Sequence, residues 1–174
     1  HLNDVKLQIK DVSYHKGCFI DKNVPIKDAF DFMNKYSLTG IPVVESRNKY
    51  YGYVSLKEVA REIITGDFHK INTSYGNLIS VLRGTQVLKF DKEITGNVLA
   101  ATYAKATFKE RVSLSNNDIL IVGDRNAILD YAIESKVKLI IAISGIEISP
   151  ILLQKAKKNK VNIISTPLSS YDVG

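Results

Sequence analysis

The sequence predicts an α/β protein in two parts, an α+β unit followed by an α/β unit built on a parallel sheet. Three observations carry this. From residue 118 onward, runs of Ile, Leu and Val (DILIVG, LIIAIS, VNIIST) alternate with the amphipathic segments AILDYAIES and SPILLQKAKKN. Such runs mark strands buried on both faces and joined by crossover helices. The earlier part instead sets two short strands side by side around a polar turn, with a helical pattern before and after. Between the two, TGDFHKINTSYGN at residues 65–77 is polar, glycine-punctuated and without sustained periodicity, as a linker is. The expected organisation is residues 1–64, a linker at 65–77, and residues 78–174.

In order along the chain, CFI opens a short apolar strand. After Pro25, the residues Ile26, Ala29, Phe30 and Met33 recur at i, i+3, i+4 and i+7 and predict an amphipathic helix. Gly40 is a plausible stop. IPVVES is a strand, SRNK a turn, and YYGYVS a second strand antiparallel to the first. LKEVAREII then reads as a short amphipathic helix. In the second part LISVLRG reads as a helix and GNVLAATY as a strand with small residues, before the regular strand and helix alternation with its right-handed crossovers.

Composition excludes several classes. The 174 residues are 45% hydrophobic, enough to bury real cores. No apolar run approaches the roughly 18 uncharged residues of a membrane span, and HLNDVKLQIKD lacks a signal peptide's apolar region, so a cytoplasmic protein with no membrane partner is expected. Cys18 is the one cysteine and has no partner for a disulfide or a zinc ribbon. The formal charge of +6 attracts phosphates of many kinds. It is spread through both parts, and its densest run, KAKKNK at 155–160, ends a helix where cations complement the dipole. Nucleic acid is therefore not expected as a partner.

No catalytic constellation emerges. His1, His15 and His69 lie far apart without neighbours at ligand spacing, so no metal site and no catalytic residues are expected in this chain. Phosphate-loop, dinucleotide and hydrolase-elbow motifs are absent. What remains is the junction where the strand ending in Ser55 runs straight into a helix. Ser55 is a good N-cap and Glu58 follows three residues later as in a capping box. One helix start thus gathers a hydroxyl, a carboxylate and free amides that could grip a ribose. Taken alone, these residues favour an ordinary helix cap. Asp124 to Asn126 follow a strand and precede a helix, where parallel sheets bind ligands; a capping role explains Asp124 equally well.

Residues 18–64 resemble one CBS motif, with VPIKDAFDFMNKYSLTG, IPVV, GYVS and LKEVAREII as its parts. The resemblance implies a unit that works in pairs and binds adenosine derivatives. The strand Ile41-Pro42-Val43 would border the adenine, and Gly52-Tyr53-Val54-Ser55-Leu56-Lys57-Glu58 would hold ribose and phosphate through Ser55, Lys57 and Glu58. Glu58 stands where an aspartate is usual, and Thr39 and Gly40 where many members carry a basic residue. IVGDRNAILDYAIESKVKLIIAISGIEISP resembles a DRTGG domain, with Asp124 and Arg125 after the strand as a possible second site. Ser144-Gly145-Ile146 stands where Thr-Gly-Gly is common.

The order of the two resembles the regulatory insert of the family II, manganese-dependent inorganic pyrophosphatases. This implies a region that senses AMP, ADP, ATP or a diadenosine polyphosphate and controls diphosphate hydrolysis. Manganese would be held by a DHH-type catalytic domain of the same polypeptide, and a second CBS motif normally accompanies the first. No cofactor is expected in this chain. A lone CBS motif presents half a pocket, so a homodimer is expected. The alternatives are a structural dimerisation module without ligand, and a fragment of an acetyl-transferring enzyme.

Overall fold

The computed structural model describes residues 20–21, 40–46, 49–65, 70–101 and 108–169. The helix expected over VPIKDAFDFMNKYS lies outside the described residues. The chain divides into two compact units, His1–Val59 and Ala60–Gly174.

The first unit holds a three-stranded sheet of β1 (Ile20–Asp21), β2 (Gly40–Ser46) and β3 (Lys49–Ser55), in that order. β2 and β3 are antiparallel as the sequence predicts, and β1 runs parallel to β2. Proline lacks the N–H a ladder needs and is ordinarily excluded from central strands. Here Pro42 pairs with Tyr53 of β3, and the described pairing with β1 begins at Val43. α1 (Leu56–Thr65) follows β3 without a gap.

The second unit is a six-stranded sheet in the order β4-β6-β7-β8-β9-β5, from β4 (Lys70–Ser74), β5 (Thr85–Leu88), β6 (Glu93–Ala100), β7 (Asp118–Val122), β8 (Leu139–Ala142) and β9 (Asn162–Ser165). β6 to β9 are parallel, and β4 and β5 close the two edges antiparallel. The helices are α2 (Tyr75–Leu82), the short α3 (Phe108–Arg111), α4 (Asn126–Glu134) and α5 (Pro150–Asn159).

The parallel strands lie side by side in chain order. Crossovers of one hand then put every connecting helix on the same face. Accordingly Ile128, Leu129, Ala132 and Ile133 of α4 and Leu152 and Ala156 of α5 share one core with Leu120, Val122, Ile140 and Ile163 of the sheet. Lys155 of α5 binds Asp130 and Glu134 of α4, each at 2.7 Å. The alternate residues Ile119, Ile121, Leu139, Ile141 and Ile164 are fully buried on the other face. Burying each such side chain contributes about 2 kcal/mol. α2, which is not a crossover helix, packs on this second face. An added Cβ at Gly84 would lie 2.7 Å from Ile164 Cγ2 and 3.4 Å from Ile79 Cδ1. Its start is capped by Ser74, whose Oγ accepts from the Asn77 amide at 3.1 Å.

Two strands depart from the sequence reading. KINTS, read as linker for its polarity, is edge strand β4, with Ile71 and Thr73 buried and Lys70 and Asn72 exposed. TQVL is edge strand β5. An edge strand uses backbone bonds on one side only and tolerates polar residues, so neither shows the continuous apolar run of a central strand.

Candidate functional site

The sequence reading nominated two places. The first is the hairpin end in the first unit. Register pairs Gly40 with Ser55, Ile41 with Val54, Pro42 with Tyr53 and Val43 with Gly52. The start of β2 and the end of β3 therefore meet. By the two-residue alternation of strands, Pro42 and Ser55 fall on one face of the hairpin and Ile41 and Val43 on the other. Because α1 begins at Leu56, Lys57 and Glu58 occupy its first turn, beside the same end. Lys57 is exposed. The side chains of Ile41, Pro42, Val43, Ser55 and Glu58 lie outside the described residues, so the capping box is not tested. The chain thus brings all six nominated positions to one end of one hairpin, from stretches about a dozen residues apart.

The second place is the C-terminal edge of the parallel strands. Asp124 and Arg125 follow β7, with Asp124 exposed and Arg125 half-buried. The N-cap of α4 is Arg125, and its side chain makes no capping bond. Asp124 therefore does not cap α4 in the way its position suggested. Ser144 and Gly145 follow β8, both in the left-handed region with φ of 62° and 64°. Glycine adopts this freely, whereas serine pays a steric penalty. Consecutive amides at such a turn can cradle an anion. Here both are committed: Ser144 donates to the Leu168 carbonyl at 2.8 Å and Gly145 to the Thr166 carbonyl at 2.9 Å.

An open cleft of about 400 Å³ lies at this edge, walled by Val87, Ile146, Ile148 and Leu153, with Glu147 on its lining. Neither Asp124 nor Arg125 lines it. Topology offers one reason. Ligands in open α/β sheets favour the crevice where strand order reverses, and β6 to β9 run without a reversal.

The sequence reading missed Thr166. It is fully buried, and its Oγ donates to the Leu82 carbonyl at 2.6 Å while accepting from the Leu168 amide at 3.1 Å. One threonine at the end of VNIIST gives no signal of this. It also missed Asn162. This residue is fully buried at the start of β9. Its Oδ1 accepts from the Phe90 and Asp91 amides at 2.7 and 3.1 Å. Its Nδ2 donates to Asp91 Oδ2 at 2.9 Å and to the Lys138 carbonyl at 2.8 Å.

Among the described residues no group of three or more His, Cys, Asp or Glu is gathered as metal ligands, and no helix is long and apolar enough to cross a membrane.

The DRTGG domain model matches residues 77–174 and the CBS domain model residues 9–65. The chain is 30% identical to the cobalt-dependent inorganic pyrophosphatase of Clostridium perfringens (strain 13 / Type A), over 98% of this chain and 32% of that protein. It is 21% identical to a probable manganese-dependent inorganic pyrophosphatase of Thermotoga maritima, over 98% and 32%. The chain therefore spans about a third of the length of the curated relatives it matches. Its fold is similar to the crystal structure of the CBS and DRTGG domains of the regulatory region of Clostridium perfringens pyrophosphatase, complexed with the activator diadenosine tetraphosphate. That likeness has a TM-score of 0.51 and 26% identity, covering 89% of this chain and 69% of that one.

Proposed function

Because the chain belongs to the DRTGG domain family, carries a CBS domain ahead of it and is homologous to the regulatory region of a pyrophosphatase, we propose that it senses adenine nucleotides. In the intact polypeptide it biases an inorganic pyrophosphatase between less and more active states. The observation that supports this most is the hairpin end. Ile41 to Val43 and Ser55 to Glu58 converge there, as a pocket for adenine, ribose and phosphate requires. In this reading Ser55 and Glu58 hold the ribose, and Lys57 meets the phosphates. Two chains pair so that each completes the other's half-site.

AMP or ADP holds one arrangement of the paired units, and ATP or a diadenosine polyphosphate holds another. Either can shift activity only by its difference in affinity for the two states. The manganese or cobalt ion belongs to a DHH-type catalytic domain of the same polypeptide, and so does the chemistry. The protein acts in the cytoplasm.

Titration of this chain with AMP, ADP, ATP and diadenosine tetraphosphate by calorimetry, with molecular mass measured in the same buffer, tests the reading. Binding near micromolar affinity by a dimer is expected, about −8 kcal/mol. Absence of heat from all four ligands overturns it. A second reading, a dimerisation module without ligand, is favoured for the DRTGG domain by one observation. The amides of its Ser144-Gly145 turn are spent inside the domain.

A further inference from the structure

We propose that Thr166 is a latch: its hydroxyl ties the segment leaving β9 to the end of α2, so that the two move as one body. The last carbonyls of a helix have no partner within it and ordinarily turn to water. The carbonyl of Leu82, the final residue of α2, takes the buried Thr166 hydroxyl instead, at 2.6 Å. The same oxygen accepts the Leu168 amide at 3.1 Å. Donor and acceptor are both engaged, so the hydroxyl is held in one orientation.

The backbone of Thr166 extends the tie. Its amide donates to the Ala142 carbonyl at 2.9 Å, and its carbonyl accepts the Gly145 amide, next to the bond from Ser144 to Leu168. One residue therefore joins the end of α2, the turn after β8 and the outgoing segment Thr166–Ser169. The α2 side is held close as well. Gly84 lies so near β9 that a Cβ would stand 3.1 Å from the Ser165 carbonyl oxygen. α2 lies early in the second unit, and the segment Thr166–Ser169 follows β9. The latch links an early element of the domain to the segment that follows β9.

Its regulatory meaning rests on the nucleotide-sensing reading: a ligand-driven shift of α2 would be carried to the segment that follows β9. Thr166 is a positioning residue and touches no ligand in this scheme.

Amide hydrogen exchange on the full chain tests the latch, with Thr166→Val removing the hydroxyl at nearly constant shape and Thr166→Ser keeping it. In the valine variant the amides of Ser144, Gly145 and Leu168 should exchange on the order of tenfold faster. Those of Leu120 and Ile140 should keep their protection, and the serine variant should follow the wild type. Unchanged exchange at the three amides overturns the proposal. So does an equal rise across β7, β8 and β9, which would mean general loss of stability.

A second arm adds diadenosine tetraphosphate. Exchange at Leu82 and Leu168 should shift together in the wild type and independently in the valine variant; a joint shift in both variants overturns the latch. If the wild type binds no nucleotide, the sensing reading fails and the first arm still decides the latch.

Discussion

The phenol of Tyr75 donates a 2.6 Å hydrogen bond to the carbonyl of Ile163, 88 residues away. It joins the first residue of α2 to β9 from beneath, through the core. Tyr75 is almost fully buried. Burial pushes its phenol from 10.0 up to about 12, against a smaller opposing pull from the Val87 backbone.

The folded protein therefore holds this proton over a range where the unfolded chain has lost it. Stability should be unaffected by this group below pH 10 and should fall as pH rises from 10 towards 12. Tyr75→Phe should remove that alkaline decline and lower stability at pH 8 by about 1–2 kcal/mol, since the Ile163 carbonyl loses a partner. Urea unfolding at pH 8 and pH 11 measures both.

Asn162 satisfies four groups at once beneath the β5 to β6 connection. Asn162→Ala should destabilise the domain by roughly 2–4 kcal/mol, because the Phe90 and Asp91 amides and the Lys138 carbonyl lose this partner. Chemical denaturation at neutral pH gives the value.

The same network sets an acid response. The Asn162 side chain, more than any other cause, holds the Asp91 carboxyl below its ordinary 3.8; partial burial opposes this and Lys138, 3.3 Å away, adds to it. A carboxylate depressed by folding contributes stability above its unfolded value and loses it as pH falls through the folded one. Melting temperature should therefore drop as pH falls below 3.8, and Asp91→Asn should flatten that drop. Scanning calorimetry between pH 2.5 and pH 6 should resolve the difference in slope, on the order of one proton.

Gly96 in β6 has no room for a side chain: a Cβ would sit 2.6 Å from the Asn117 backbone oxygen. That oxygen accepts the Asn97 amide at 2.7 Å and cannot retreat freely. Gly96→Ala should destabilise by about 2 kcal/mol or more, while Gly76→Ala, with open space around it, should leave stability within about 0.5 kcal/mol. The pair of melting temperatures separates steric crowding from any general effect of replacing glycine.

At the hairpin end, Ser55→Ala and Glu58→Ala should each weaken adenine-nucleotide binding by roughly tenfold, the effect of one lost hydrogen bond to a ligand. Far-ultraviolet circular dichroism should stay unchanged. Full affinity in the double variant would mean that the nucleotide binds elsewhere.

The central strands were legible because burial on both faces forces an unbroken apolar run, and DILIV and LIIA can hardly be anything else. The edges were not. Ile71 is the one large aliphatic residue in β4, and β5 depends on β9, which is remote in sequence. The polar groups that organise the ends of the sheet were equally silent. Asn162 and Thr166 are ordinary residues at strand boundaries, and only their partners, set by tertiary structure, reveal that they are buried and satisfied. The hairpin end was legible for another reason, since two adjoining strands and the helix after them form a local unit in which spacing fixes register.

The strand order has a consequence in time. β6, β7, β8 and β9 lie side by side in the order in which a ribosome delivers them, so each can pair with the edge its predecessor offers. β5 is made before all four, yet its partner is the final one. The stretch Thr85–Leu88, and α2 beside it, must therefore wait for VNIIST to emerge. Until then the growing chain keeps an open edge and an uncovered face, the state in which a nascent domain is most exposed to aggregation.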